Sequence, residues 1–323
     1  MFWKRKSMAS NASADTARRG AADFPDAEGM FSEPRFDREA PVPHARPKIF
    51  AVANQKGGVG KTTTAINLGT ALAAVGHRVL IVDMDPQGNA STGLGVDYAD
   101  RRWSSYDVLA GEVKVEEAIH GTDVPGLDIV PSTEDLLGSD VVLAERPRRS
   151  YLLADALSRM PVEGLPREGS EEEQRITKRP YAYILIDCPP SLNLLTVNAM
   201  AAADAILVPL QCEFFALEGL SQLLKTVEDV RNGLNPALTI QGVVLTMYDQ
   251  RNNLSTQVEA DVRDYLGDKV YKTTIPRNVR VSEAPSYGKP ALIYDHRCAG
   301  SQAYMHLAAE LIQQERKLSQ DVA

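Results

Sequence analysis

The sequence predicts an α/β fold, a single domain built on a mostly parallel, twisted sheet with helices on both faces. Three observations carry this. Short aliphatic runs of strand length alternate along the chain with longer segments of helical periodicity. Those runs are nearly continuous Val, Ile and Leu, which suits strands buried on both faces. Several of them lead into glycine-rich or acidic turns, at the end of the strand where open α/β sheets hold their ligands.

Taken in order, residues 1–47 are rich in Ala, Ser, Pro, Asp and Arg and lack apolar periodicity, so a disordered tail is expected there. The folded domain is expected over 48–323. Its first strand, at 49–53, runs through a glycine-rich turn into a helix that ends near Gly76. The second strand covers 78–83 and opens into the polar turn 85–91. A helix is expected over 104–120, a short strand at 127–130 and a helix at 150–160. Residues 161–180 are charged and rich in Gly and Pro, and read as a flexible surface insertion. Strands follow at 183–187, 205–209 and 240–246, with helices at 192–203, 216–231, 254–266 and 301–318.

Composition sets limits on function. In 323 residues, 44% hydrophobic and 24% charged, there is enough apolar material for a packed core. No run of about 18 apolar residues is present, so no transmembrane helix is expected. The basic start, Met1 to Ser7, is not followed by an apolar segment, which argues against a signal peptide. Cys188, Cys212 and Cys298 are odd in number and far apart, which suits buried thiols in a reducing cytoplasm. A net charge of −8 argues against a general nucleic-acid binder but leaves room for a local basic patch.

The turn after the first strand holds the chemistry. It reads Lys56-Gly57-Gly58-Val59-Gly60-Lys61-Thr62-Thr63. Between a strand and a helix, such a turn aims backbone N–H groups at one point and sets that point at the positive end of a helix, a cradle for polyphosphate. Lys61 can reach the terminal phosphates and the Thr62 hydroxyl can ligate Mg²⁺. The common phosphate-loop pattern would place a glycine at Gln55. Here that glycine is missing and a second lysine, Lys56, follows instead. Two later strands end in aspartate: Asp187 closes the strand at 183–187, and Asp83 and Asp85 surround the end of the strand at 78–83. Phosphoryl transfer needs a held metal and a positioned water, and both can be served by carboxylates at these positions.

The loop with its extra lysine resembles that of the deviant Walker A ATPases, the family that includes ParA, MinD and the nitrogenase iron protein. Further segments narrow the resemblance to chromosomal ParA (Soj-like) proteins: Asp83-Met84-Asp85-Pro86-Gln87-Gly88-Asn89, Asp187-Cys188-Pro189-Pro190-Ser191, and Ile275-Pro276-Arg277-Asn278-Val279-Arg280. The likeness covers roughly residues 48–315. It implies ATP and Mg²⁺ as cofactors, with Lys56 reaching the phosphates of a partner protomer. It implies Asp85 as the residue assisting hydrolysis, Thr62, Asp83 and Asp187 on the metal side, and Pro276 and Asn278 beside the adenine. It further implies a cytoplasmic, nucleoid-associated homodimer that binds DNA without sequence preference and answers to a ParB-type partner. Arg251 and Arg280 match the family's DNA-binding arginines, with Lys272 and Lys289 nearby. Residues 245–297 hold eight Lys and Arg against seven Asp and Glu, so this region is not net basic.

Two other members of the same family stand as alternatives. A MinD-like membrane switch would need a basic amphipathic C-terminal helix, and the last residues are acidic and weakly apolar. A redox ATPase like the iron protein would need cysteines placed to share a cluster between protomers, and Cys188 and Cys212 do not match those positions.

Overall fold

In a computed structural model of the protein, residues 46–161 and 179–321 are described. The expected tail, apart from Arg46 and Pro47, and the core of the expected insertion lie outside the described residues. The sheet is assembled from β1 (Lys48–Val52), β2 (Val79–Asp83), β3 (His120–Gly121), β4 (Leu127–Val130), β5 (Tyr183–Asp187), β6 (Ala205–Gln211) and β7 (Thr239–Thr246). Their order across the sheet is β3-β4-β2-β5-β1-β6-β7, and only β3 runs antiparallel. Every residue of β2, β4 and β5 is buried, as expected for strands of continuous aliphatic residues covered on both faces.

The helices are α1 (Lys61–Ala74), α2 (Asn89–Gly93), α3 (Ser105–Ala110), α4 (Ser139–Val142) and α5 (Leu152–Ser158), then α6 (Leu194–Ala202), α7 (Ala216–Gly233) and α8 (Asn253–Leu266), and last α9 (Val279–Glu283), α10 (Ala291–Tyr294) and α11 (Ala299–Asp321). One apolar layer packs α5, α6 and α7 against one face of the sheet, and a second packs α1 and α11 against the other. Gly69 explains how closely α1 lies on the sheet: a Cβ there would sit 3.1 Å from Ile81 Cδ1 and 3.3 Å from Leu127 Cδ1. The apolar stripe of α11 (Leu307, Ala308 and Leu311) is fully buried, so the last helix is a component of the core.

The helix expected over 104–120 is corrected. Ser104 and Asp107 form a capping box that starts α3, but Gly111 at φ 68° ends it after one and a half turns. A 3₁₀ turn follows at Val115–Glu117, and then β3 pairs His120 with Ile129. The apolar residues Val108, Leu109 and Val115 do reach the core, but from three separate pieces of backbone.

Strand register sets the functional end of the molecule. Val52, the last residue of β1, pairs with Asp187, and Asp187 pairs in turn with Asp83. Three neighbouring strands therefore stop at one level, with the 53–60 turn beside two carboxylates.

Candidate functional site

The phosphate loop is held by its neighbours. The Asn54 side chain donates to Pro209 O at the end of β6 (2.8 Å) and accepts from Lys56 N (3.0 Å). The Thr246 hydroxyl donates to Val59 O (2.8 Å), tying the middle of the loop to β7. Gln55, which occupies the missing glycine's position, donates to the Thr226 hydroxyl on α7 (3.2 Å). Gly60 adopts φ 90° at the start of α1, a conformation that would strain any residue with a Cβ. These bonds leave Lys61 N and its successors at the open N-terminus of α1.

The two lysines of the loop part ways. Lys61 is buried and folds back to donate from Nζ to Lys56 O (3.0 Å). Burial pulls its pKa down, while Asp187, Cys188 and Asp85 oppose that fall. Lys56 instead leaves the loop and forms an ion pair with Glu213, both side chains about one-third exposed. A cleft of about 470 Å³ beside it is lined by Gln55, Pro190, Leu192 and Phe215.

The carboxylates of Asp83, Asp85 and Asp187 are buried. Asp187 has no hydrogen-bond partner on either oxygen among the described residues. Its pKa lies well above the usual carboxylate range, first because of burial and then because Asp83 is ionisable beside it. The Thr62 hydroxyl opposes that rise without forming a hydrogen bond of full geometry. Asp83 accepts from Ser91 N (2.9 Å) and Ser91 Oγ (2.6 Å) on one oxygen and from Asp85 N (3.2 Å) on the other. Its pKa is pushed up to about 6, burial being the main cause. Asp85 Oδ1 accepts from Gln87 N (3.0 Å), and Asp85 O accepts from the Ser132 hydroxyl.

A divalent cation fits this donor set. An orphaned, buried carboxylate beside a threonine hydroxyl is what a hard, oxygen-seeking ion would relieve. Among the described residues no group of three His, Cys, Asp or Glu is arranged to hold a metal alone. That suits Mg²⁺, which is commonly held by one or two carboxylates together with substrate phosphates. Asp187 and Thr62 have open lone pairs for it, whereas Asp83 already accepts from Ser91 with one oxygen and from Asp85 N with the other.

A family model described as an AAA domain matches residues 47–240. The chain is 62% identical over 269 residues to the chromosome partitioning protein ParA of Caulobacter vibrioides, covering 83% of this chain and 95% of that protein. It is 50% identical over 264 residues to the sporulation initiation inhibitor protein Soj of Bacillus subtilis, covering 82% and 98%. The chain belongs to the ParA/Soj family of P-loop ATPases. Among solved structures, cobyrinic acid a,c-diamide synthase from Mycobacterium smegmatis, with an ATP analogue and magnesium bound, is 36% identical. Its TM-score is 0.69, with 84% of this chain and 96% of that chain covered. The septum site-determining protein MinD of Pyrococcus horikoshii, complexed with Mg-ADP, is 28% identical at a TM-score of 0.63, covering 86% and 99%.

The other residues expected from the ParA/Soj resemblance fall in three places. Pro276 lies beside Tyr248, just past the end of β7, in a parallel bridge. Asn278 caps α9, accepting from Arg280 N (2.9 Å) and Val281 N (3.3 Å). Arg251, Lys272 and Arg280 are carried by segments that run along the outer edge of β7, linked by Tyr271 N to Val243 O (3.0 Å) and Arg277 N to Tyr248 O (3.1 Å). Both arginines are exposed, and both are paired: Arg251 with Asp249 (3.1 Å), Arg280 with Glu283 (3.1 Å). Lys289 is elsewhere, lining a cleft with Thr62, Thr63 and Asn89. Cys188 and Cys212 are buried, and burial raises both thiols, Cys212 to about 12.

Sequence reasoning did not find Asn54, Thr246, Ser91 or Glu213. Each acts through a partner far along the chain or on another element.

Proposed function

We propose that the protein is an ATP-driven switch that dimerises around its nucleotide, binds DNA without sequence preference, and segregates chromosome or plasmid DNA with a ParB-type partner. The observation that carries this reading is the divergence of the two loop lysines. Lys61 is turned inward, where one nucleotide's terminal phosphates would lie. Lys56 leaves the loop for the rim, beside exposed Phe214 and Phe215. A second protomer would bring a phosphate to it.

ATP and Mg²⁺ are the cofactors of this reading. The bound cation would supply charge neutralisation for the β- and γ-phosphates. The loop's N–H groups would hold the phosphates, Lys61 would exchange Lys56 O for them, and Asp187 and Thr62 would hold the cation. Asp85, near-buried on the turn after β2, is the base-side residue that orients water toward the γ-phosphate. Hydrolysis removes the group that both protomers share, so the dimer and its DNA-binding state are lost together. Doubling the paired arginines of the β7 edge in a dimer supplies the phosphate contacts that one mixed-charge edge lacks.

The membrane-switch alternative has less support. Among the described residues no helix is long and apolar enough to cross a membrane. The apolar residues Leu307, Ala308 and Leu311 of α11 are spent on the core.

DNA co-sedimentation with ATP, with ADP and without nucleotide tests the proposal. Retention is expected only with ATP, and loss of retention in Lys56→Ala. Equal retention in all three conditions would refute the switch.

A further inference from the structure

Lys56 is engaged before any partner arrives. β6 ends at Gln211 and α7 begins at Ala216. Between them Glu213 N donates to Gln211 O (2.9 Å) and Glu213 O accepts from Ala216 N (2.9 Å), a tight turn that raises the Glu213 side chain toward the phosphate loop. Its Oε1 is buried and makes no conventional hydrogen bond among the described residues, so the Lys56 ammonium is the charge it faces. Gln55, bonded to Thr226 on α7, aims the loop's first turn at the same place. Phe214 and Phe215 stand beside the pair, exposed and packed edge to face with centroids 5.1 Å apart.

We propose that Glu213 is a positioning residue that holds Lys56 within its own protomer and so sets the threshold for nucleotide-dependent dimerisation. This rests on the dimer reading above and adds a residue to it. For Lys56 to reach a second protomer, the Glu213 pair must open, and opening leaves a carboxylate oxygen without its cation. Nucleotide that presents phosphates across the interface offers Lys56 a better partner. ADP, lacking the γ-phosphate, offers a poorer one and leaves Lys56 with Glu213. The acid therefore raises the threshold that the ATP-bound dimer must pass and takes no part in hydrolysis. Each dimer must open two such pairs, so the effect of one enters the dimer constant twice. A partly exposed ion pair shifts an equilibrium by a factor of about three, so removing both should tighten the dimer roughly tenfold.

The test is light scattering on a size-exclusion column with a non-hydrolysable ATP analogue and Mg²⁺, over a range of protein concentrations. Glu213→Gln should lower the dimer dissociation constant about tenfold at low salt, and the gap from wild type should shrink at 0.5 M salt, where the Debye length is only several ångströms. Lys56→Ala removes the cation that the partner's phosphates need and should stay monomeric with or without Glu213→Gln. A purely structural role would alter the thermal midpoint and would be indifferent to salt. An unchanged dimer constant, or a gap from wild type that does not shrink at 0.5 M salt, would overturn the assignment while leaving the dimer reading intact. A wild type that stays monomeric with the analogue would overturn the dimer reading itself, and the role of Glu213 with it.

Discussion

Asp83 is the residue whose chemistry depends most on its surroundings. It is buried, it binds Ser91 through one oxygen, and its pKa is pushed up to about 6. A raised carboxylate pKa stabilises the fold at pH values below the unfolded value near 4, and that contribution is lost as pH rises through about 6. Above that range the ionised group is buried at a cost on the order of 3 kcal/mol. Asp83→Asn keeps an acceptor for Ser91 and removes the charge. In nucleotide-free protein, the thermal midpoint of this variant relative to wild type should therefore rise between pH 4 and pH 7 and level off above. A difference that is flat with pH would show that the charge is neutralised by some other route. The neighbouring Asp187 is raised by burial too, so nucleotide with Mg²⁺ should bind more tightly as pH rises from 5 to 7 and should release protons to buffer. Calorimetry in buffers of different ionisation enthalpy reads that release directly.

At the scale of elements, the outer edge of β7 is where the DNA expectation stands or falls. Arg251 and Arg280 both reach solvent from adjacent segments, and each is held by an acid of its own segment. Arg251→Glu or Arg280→Glu should abolish ATP-dependent DNA retention and leave nucleotide binding intact. On the DNA reading Asp249 would compete with phosphate for Arg251, so Asp249→Asn should raise retention by a factor of about two to five at low salt. Filter binding across a salt series distinguishes these effects, since each lost phosphate contact flattens the salt dependence. The elements themselves were legible wherever a single period ran long enough: every strand of four or more residues was expected within a few residues of its place. The 104–120 segment was not. Its apolar residues keep a helical spacing across Gly111, whose positive φ ends the helix, and the two-residue β3 has no pattern of its own to read.

For the whole molecule, the loop, α1 and the carboxylate-bearing strands β2 and β5 converge on one end of the sheet, so a bound nucleotide would brace the loop and α1 against those strands. At a hundred times its dissociation constant a ligand adds about 2.7 kcal/mol, enough to raise the thermal midpoint of a domain of this size by roughly 5–10 °C. Mg²⁺ with ATP should produce such a rise, chelation with EDTA should remove most of it, and Lys61→Ala should show none.

The phosphate loop, the two strand-end aspartate turns and the alternation of strand with helix were determined by sequence alone, because each is a local arrangement: a turn needs its glycines in place, and a buried parallel strand needs its aliphatic run. Tertiary structure decided what those residues touch. Register brought Asp83 level with Asp187, Ser91 engaged Asp83 and left Asp187 open for a cation, and the turn before α7 carried Glu213 to Lys56. Those pairings join residues from 8 to more than 150 positions apart. Only the folded chain, through its burial and strand order, determines which partners such side chains find.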